Sequence, residues 1–186
     1  KLKAAGFNWL CLGIESASEN VRDGADKKYG NQDIIDVVRK IQDAGIYIIG
    51  NYIFGLPDDS LERMQETFDL ATELNCEFAN FYSAMAYPGS QLYPDAIARG
   101  IELPEQWHHY SQHGYHARPL RNDHCTAAEI LKFRDEAFTK YYTNPKYLNV
   151  VRNKFGQDVV DHIARMVKIP LKRKLFEDDE RTRGAA

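Results

Sequence analysis

The sequence predicts an α/β fold in which three parallel strands alternate with helices and a helical C-terminal extension follows. Three β-rich apolar runs begin near residues 7, 46 and 78. The middle run does not alternate with polar residues, which is typical of a parallel strand covered on both faces. Helical periods separate the runs, and right-handed crossover connections then place the strands side by side. This pattern fits part of a barrel or part of an open sheet.

The first strand is predicted at Phe7–Ile14, and it ends where charged and hydroxyl side chains replace apolar ones. The preceding segment, Lys1–Gly6, resembles the last turn of a helix with a glycine C-cap. We therefore expect the chain to begin inside a domain and to pack against an upstream part. Asn31 is the predicted N-cap of the next helix, and Gly45 ends it.

The second strand, Ile46–Phe54, runs into a Gly-Leu-Pro turn that stops extended pairing. Asp59 and Glu62 then form a capping-box pattern at the start of an amphipathic helix. A third strand is predicted at Phe78–Met85, followed by turn-forming residues and a short helix that ends near Ala98.

The second half of the chain is predicted to be mainly helical. The pair Thr126 and Glu129 has capping-box spacing, and a further helix is predicted to begin at Asn144–Pro145 and to end at Gly156. The chain then divides into the strand-containing part, an irregular excursion, a helical extension and a disordered tail. These segments are residues 1–100, 101–125, 126–176 and 177–186.

Composition and charge exclude several classes of function. A net charge of −3 gives no reason to expect a nucleic-acid partner, and the longest apolar run is far shorter than the roughly 20 residues of a membrane span. The cysteines Cys11, Cys76 and Cys125 are widely separated, which suggests neither a disulfide framework nor a clustered metal motif. A reducing, cytoplasmic environment is expected.

Glu15, Gly55 and Ser83 are predicted to lie on one rim, because the carboxyl ends of parallel strands meet at the same edge of a sheet. Glu15 with the serines that follow it suits a ribose diol, since a carboxylate accepts two hydroxyl hydrogen bonds at once. Ser16 and Ser18 equally suit helix caps. Gly55 leaves the backbone open to a flat ring, although such a Gly-x-Pro turn is also a common structural device.

Taken together, two motifs resemble the C-terminal half of radical S-adenosylmethionine (SAM) enzymes. They are Gly13-Ile14-Glu15-Ser16-Ala17-Ser18 and Ile53-Phe54-Gly55-Leu56-Pro57. The run from Ala79 to Tyr93 and the helical tail are similar to members that carry a cobalamin-binding domain. The resemblance covers about residues 1–175. It implies the C-terminal half of a partial (β/α)6 TIM-like barrel, that is, its strands four to six, followed by a helical C-terminal extension.

The resemblance also implies a role for particular residues in binding S-adenosylmethionine. Glu15, Ser16 and Ser18 would hold the ribose and methionyl part, and Lys27 would contact the carboxylate. Ile53, Gly55 and Leu56 would contact the adenine, with Ser83 completing the cradle and Tyr87 reaching the site. The sequence departs from the family pattern at Ala17, Asn51 and Asp58.

The family's CxxxCxxC loop, which holds a four-iron four-sulfur cluster, cannot come from the cysteines of this chain. The resemblance therefore implies that the cluster ligands lie on a missing N-terminal half of the barrel. This half would be the partner of the present chain, and cobalamin would bind to an upstream domain. The expected function is the SAM-binding portion of an enzyme that performs a radical methylation, cyclisation or rearrangement on a small-molecule or other substrate. Two alternatives stay open: a non-catalytic remnant or interaction domain, and an unrelated TIM-barrel enzyme.

Five histidines lie between His108 and His124, and His109 and His113 have i, i+4 spacing. This spacing permits a metal site, but Gly114 and the lack of a carboxylate at a zinc-protease position favour a polar surface excursion. No metal ligand is therefore assigned from the sequence.

Overall fold

A computed structural model describes residues 1–23 and 30–178. At its centre lies a parallel sheet of three strands, which neighbour one another in the order in which they follow along the chain. The strands are β1 (Trp9–Glu15), β2 (Tyr47–Phe54) and β3 (Phe78–Ser83). The helices are α1 (Glu19–Asp23), α2 (Asn31–Asp43), α3 (Leu61–Leu74), α4 (Leu92–Ala98), α5 (Ala127–Tyr142), α6 (Pro145–Phe155) and α7 (Gln157–Met166). Short 3-10 helices occur at Lys3–Ala5 and Trp107–Tyr110. The predicted α/β fold with three parallel strands and a helical C-terminal part is confirmed.

Four strand limits differ from the prediction, and two of them, the end of β1 at Glu15 and the start of β2 at Tyr47, differ by only one residue. β1 begins at Trp9, and Phe7 lies before it with half of its surface exposed. β3 ends at Ser83 instead of Met85. The reason is that Ser83 is paired with Phe54, the last residue of β2, and the Ala84 amide then donates the last hydrogen bond to this strand, at the Phe54 carbonyl.

Two predicted helix caps are wrong. Asn31 is the first residue of α2 and not its cap, and its side-chain oxygen accepts a hydrogen bond from Arg22 Nη1 at 2.6 Å. Ser60 caps α3, because its hydroxyl accepts a hydrogen bond from the Arg63 amide. Asp59, the predicted cap, is buried, and its carboxylate accepts a hydrogen bond from the Gly55 amide in the turn before the helix.

The cap predicted for α5 is confirmed. Thr126 accepts a hydrogen bond from the Glu129 amide, and the Glu129 carboxylate accepts one from the Thr126 amide. Asn144 and Pro145 begin α6, and Gly156 ends it, as the sequence predicts. Helical structure also continues through residues 174–178, so that it reaches two residues into the segment that was predicted to be a disordered tail. Residues 179–186 lie outside the described part of the chain.

One face of the sheet carries the core. Along β2, every second residue is buried, and the residues between them are half-buried. The buried side chains of β2 and β3 pack against α2, α3 and the C-terminal helices α5 to α7. Large, fully buried side chains of this core come from the two strands and from α5 and α6: Ile48, Tyr52, Phe54, Phe81, Tyr141, Tyr142 and Tyr147. The opposite face of the sheet is the more open one.

Along the outer edge of β3, backbone groups form hydrogen bonds with side chains, at positions where a fourth strand would otherwise pair. These side chains come from the excursion and from α5 and α6, and each is bonded to a backbone group of residues 77 to 83. Gln112 bonds to the amide and carbonyl of Ser83, Arg134 to the carbonyl of Phe81, Tyr142 to the amide and carbonyl of Ala79, and Tyr147 to the carbonyl of Glu77. The C-terminal extension thus satisfies the edge of the sheet, which prevents it from pairing with another chain.

The outer edge of β1 differs, because within residues 1–23 and 30–178 no strand pairs with it. Beside it runs an apolar groove of about 320 Å³, formed by residues 11–14 of β1 and by Asp33, Ile34, Val37 and Val38 of α2. Val37 is nearly half exposed here. Among the described helices, none is both long and apolar enough to cross a membrane.

Candidate functional site

The three strands end side by side, which brings the predicted site residues to one rim. Glu15 closes β1 and is paired with Tyr52, while Ser83 closes β3 and is paired with Phe54. Gly55 follows directly after β2. The predicted grouping of the strand ends therefore exists in the fold. Lys27, the further predicted contact, lies outside the described residues.

Glu15 occupies a strained position at the end of β1. Its φ is 66°, in the left-handed region that non-glycine residues seldom adopt, and the register with β2 shifts between Gly13 and Glu15. Its side chain is half-buried. Strained residues next to irregular pairing occur frequently at functional sites, so the geometry singles out the same residue as the sequence motif does.

Ser16 has a structural environment. Its side chain is fully buried, its hydroxyl oxygen lies 3.1 Å from Thr67 Oγ1, and it accepts a hydrogen bond from the Ser18 amide. Thr67 also accepts a hydrogen bond from the Ala17 amide at 3.0 Å. The burial favours a role for Ser16 in shaping the loop over direct contact with a ligand. Ser18 is half-buried and lies closer to the surface.

Thr67 and Arg22 were not identified from the sequence. Thr67 lies on α3, some fifty residues from the loop that it fixes. Arg22 is fully buried on α1 and donates a hydrogen bond from Nη1 to the Ser16 carbonyl at 2.6 Å. Neither residue has a local sequence pattern that marks it, since each acts through a contact that only the folded chain creates.

Gly55 is required for packing as well as for the turn. Its φ is 83°, and a Cβ atom at this position would lie 2.6 Å from side-chain atoms of Ile130 on α5. The space beside the glycine is thus filled by a helix of the C-terminal extension. Leu56 is buried in a small apolar cluster with Val21 and Ala84, and Ile53 packs on this cluster while it remains half-buried. Of the three predicted adenine contacts, Ile53 is the most accessible, since Gly55 and Leu56 are buried.

Asp59 and Asn122 hold the turn after β2. Asp59 Oδ2 accepts a hydrogen bond from the Gly55 amide at 2.9 Å, and Asn122 Nδ2 donates to the carbonyls of Leu56 and Asp59. Burial raises the pKa of Asp59 to about 6, although the amides of Gly55 and Ser60 oppose this shift. The sequence motif placed the acidic position of the turn at Asp58, which is exposed. In the structure, the residue that accepts the hydrogen bond from the Gly55 amide is Asp59 instead of Asp58.

The third side of the rim is formed by Ser83 and Tyr87. Ser83 is buried, and its hydroxyl has no hydrogen-bond partner within residues 1–23 and 30–178. Tyr87 is exposed, its ring stacks on Tyr110 at a centroid distance of 5.4 Å, and its hydroxyl points back to the Tyr110 carbonyl at 3.4 Å. A buried polar atom without a partner is rare in proteins and marks Ser83 as a candidate ligand contact.

The rim lies in a segment that matches a known family. Residues 1–71 match the model of the radical SAM superfamily. The chain is 29% identical over 168 residues to an uncharacterized methyltransferase of Pyrococcus horikoshii, covering 90% of this chain and 34% of that protein. It is 26% identical over 113 residues to the bacteriochlorophyllide d C-8(2)-methyltransferase of Chlorobaculum tepidum, covering 60% of this chain and 25% of the relative.

A solved structure is also similar in part. It is the radical S-adenosylmethionine methyltransferase TsrM of Kitasatospora setae with cobalamin and a [4Fe-4S] cluster bound, at 18% identity and a TM-score of 0.49 over 56% of this chain and 21% of that one. This chain spans about a third or less of the curated relatives that it matches. The resemblance drawn from the two sequence motifs is confirmed, because both motifs lie within the residues that match the radical SAM superfamily model.

Proposed function

We propose that this chain supplies S-adenosylmethionine-binding strands of a radical SAM enzyme. The observation that carries the proposal is the shared rim, where Glu15, Gly55 and Ser83 stand at the ends of three adjacent parallel strands. Ligands of parallel α/β folds bind at the carboxyl ends of the strands. The match of residues 1–71 to the radical SAM superfamily supports the same site.

The residues of the rim divide by burial into those that would contact S-adenosylmethionine and those that support these contacts. Glu15, Ser18 and Ile53 are half-buried and accessible, so they would contact the ribose, the methionyl part and the adenine. Ser83 is also buried, and its unpartnered hydroxyl would become a donor or acceptor for the adenine edge after a small shift of the end of β3. Ser16, Gly55 and Leu56 support these contacts from within the protein, because each is buried against the chain itself.

S-adenosylmethionine bound beside a reduced four-iron four-sulfur cluster supplies radical chemistry, which is a property of the cofactors. The contribution of this chain is to bind and orient the nucleoside. Cys11, Cys76 and Cys125 do not have the spacing of the cluster loop, and Cys76 and Cys125 are buried on the core side. The proposed cluster ligands therefore belong to another part of the radical SAM domain.

Within the family, methyl transfer is the reaction that we favour. The relatives from Pyrococcus horikoshii and Chlorobaculum tepidum are both named methyltransferases. A relative from Rubrivivax gelatinosus is a cyclase, so cyclisation is the second candidate. Cobalamin would act as a methyl carrier on a separate domain.

The open edge of β1 is the proposed docking site for the remainder of the barrel. A parallel strand from that part would pair with β1, and its helix would fill the apolar groove beside Val37. The two edges of the sheet support this docking site, since side chains bond to the edge of β3, whereas within the described residues no strand pairs with the outer edge of β1.

Calorimetry of S-adenosylmethionine binding to the intact protein tests the site. Glu15→Ala should weaken binding about 10- to 100-fold, which corresponds to about 1.5–3 kcal/mol for a charge-assisted hydrogen bond. Glu73→Ala, which alters an exposed glutamate on α3, is the matched control and should leave binding unchanged. Equal affinity of the wild type and Glu15→Ala would overturn the ribose assignment. A wild type that does not bind at all would favour the non-catalytic interaction domain.

The reaction class has a separate test. The reduced, anaerobic protein would be incubated with methyl-labelled S-adenosylmethionine and a small-molecule extract. Appearance of the label in a new compound supports methyl transfer. Formation of 5'-deoxyadenosine with all label retained in methionine would instead favour cyclisation or rearrangement.

A further inference from the structure

We propose that His108, His109 and His116 bind one divalent transition-metal ion, of which Zn²⁺ is the best match. One ring nitrogen from each residue lies within 4.8 Å of the other two. The ring centroids are separated by 4.4 Å between His108 and His109, and by 5.3 and 5.4 Å from these to His116. This site is independent of the S-adenosylmethionine rim.

The distances suit a metal after small side-chain rotations. Three imidazoles bound to Zn²⁺ at about 2.0–2.1 Å have donor atoms roughly 3.3 Å apart, so donor atoms within 4.8 Å of one another need to approach by at most about 1.5 Å. His108 and His109 are at the protein surface, one exposed and one half-buried, and ring rotation there meets little resistance. Neutral imidazole is a preferred ligand of zinc, copper and nickel.

The backbone already brings the three residues together. His108 and His109 lie in the 3-10 helix Trp107–Tyr110. The chain then turns at Gly114 and returns, and the Arg118 amide donates a hydrogen bond to the His109 carbonyl at 3.0 Å. His116 is thereby held opposite the other two. The i, i+4 spacing of His109 and His113 permitted a metal site, but the His113 ring lies 2.9 Å from Arg134 Nη2 and outside the cluster.

A buried arginine fixes the returning loop to the rest of the fold. The Arg173 side chain is fully buried and donates to the carbonyls of Gln112 and Gly114 at 3.0 and 2.9 Å. It also forms a bidentate pair with Asp135 on α5, at 2.9 and 2.8 Å. The adjacent Lys174 amide donates to the Tyr115 carbonyl. The loop that carries His116 is thus preorganised, which reduces the entropic cost of binding.

The surroundings leave room for a fourth ligand. A cavity of about 80 Å³ beside His109 and His116 is also lined by Arg118, Lys174 and Asp178. Three protein ligands and an open position occupied by water are the arrangement of catalytic zinc sites, whereas structural sites have four protein ligands. The two cationic neighbours favour water, hydroxide or a small anion in the fourth position.

Zinc titration followed by calorimetry tests the site in the intact protein. Wild type should show a binding step that the double variant His109→Ala/His116→Ala weakens at least about tenfold, because two of three ligands are removed. The control is the double variant His124→Ala/His162→Ala, which removes two histidines outside the cluster and should retain the step. Circular dichroism of all three proteins establishes that they are folded.

Cobalt(II) provides a second readout, because its visible absorption reports the ligand geometry. The wild type and the control should share an absorption band that the His109→Ala/His116→Ala protein lacks. Equal zinc affinity of the two double variants, or a cobalt spectrum that does not depend on the cluster, would overturn the proposal. Failure of this site would leave the S-adenosylmethionine assignment untouched, since the two tests use different ligands.

Discussion

Asp59 Oδ2 accepts a hydrogen bond from the Gly55 amide at 2.9 Å, and this bond closes the turn that carries the adenine side of the rim. The carboxylate is buried beside Asn122, which bonds to the turn from the other side. The turn therefore depends on an acidic group whose ionisation is unfavourable in free energy, because the group is buried.

Asp59 makes a pH-dependent contribution to stability. Its pKa is raised to about 6 in the folded protein, so the folded state holds the proton more tightly than the unfolded chain, where the ordinary value of about 4 applies. The contribution is present below about pH 4 and is lost as the pH rises through about 6. Asp59→Asn removes the ionisation, so the stability of the wild type should fall relative to this variant over that range. Urea unfolding at successive pH values measures the difference.

Asp58→Asn is the control for the Asp59 experiment, because it alters an exposed neighbour in the same turn. Because this variant retains Asp59, its stability should fall between about pH 4 and 6 as that of the wild type does. A constant stability difference between the wild type and Asp59→Asn across this range would contradict the assignment.

A side chain at Gly55 should be strongly destabilising. Gly55→Ala meets two costs, a positive φ worth about 1–2 kcal/mol and a clash with Ile130 at 2.6 Å. Gly89→Ala isolates the first cost, since Gly89 has a φ of 91° and open space around it. Thermal and urea unfolding should show a larger loss for Gly55→Ala. The excess should shrink when Ile130 is also replaced by alanine, and purely additive losses would argue against the contact.

The side chains along the edge of β3 predict a second stability effect. Tyr142→Phe leaves the amide and carbonyl of Ala79 without their partner, at a cost of about 1–3 kcal/mol. Tyr47→Phe is a suitable control, because this ring packs in an aromatic cluster and its hydroxyl makes no hydrogen bond within the described residues. Equal unfolding free energies for the two variants would show that the edge is not stabilised in this way.

Weakening the β3 edge should also promote association. Arg134→Met removes the donor to the Phe81 carbonyl and opens the centre of the edge. Analytical ultracentrifugation should then show a larger sedimenting fraction than for Lys140→Met, a change at an exposed position of the same helix. An unchanged distribution would indicate that the remaining side chains suffice to close the edge.

The elements that follow from local sequence were predictable. The apolar run before Gly55 and the capping pair of Thr126 and Glu129 each reflect short-range chemistry, and the structure has a strand and a helix there. The common rim was also predictable, because parallel strands impose it once three strands are recognised. Such features need no knowledge of which distant residues meet.

The parts that were missed depend on distant contacts. Ser16 is buried because Thr67 on α3 reaches it, and Gly55 is tightly packed because Ile130 on α5 covers it. His108 and His116 meet only because the loop between them reverses direction. Sequence spacing contains no signal for these pairs. A motif therefore identifies the position of a site more readily than the burial and the contact partners of each side chain in it.

A crystal structure of the intact protein with S-adenosylmethionine tests the central claim most directly. The account predicts ligand density on the rim, with the ribose at Glu15 and the adenine against Ile53 and Ser83. Ligand density at any other place, such as the groove beside Val37, or a rim that stays empty at saturating ligand, would contradict it.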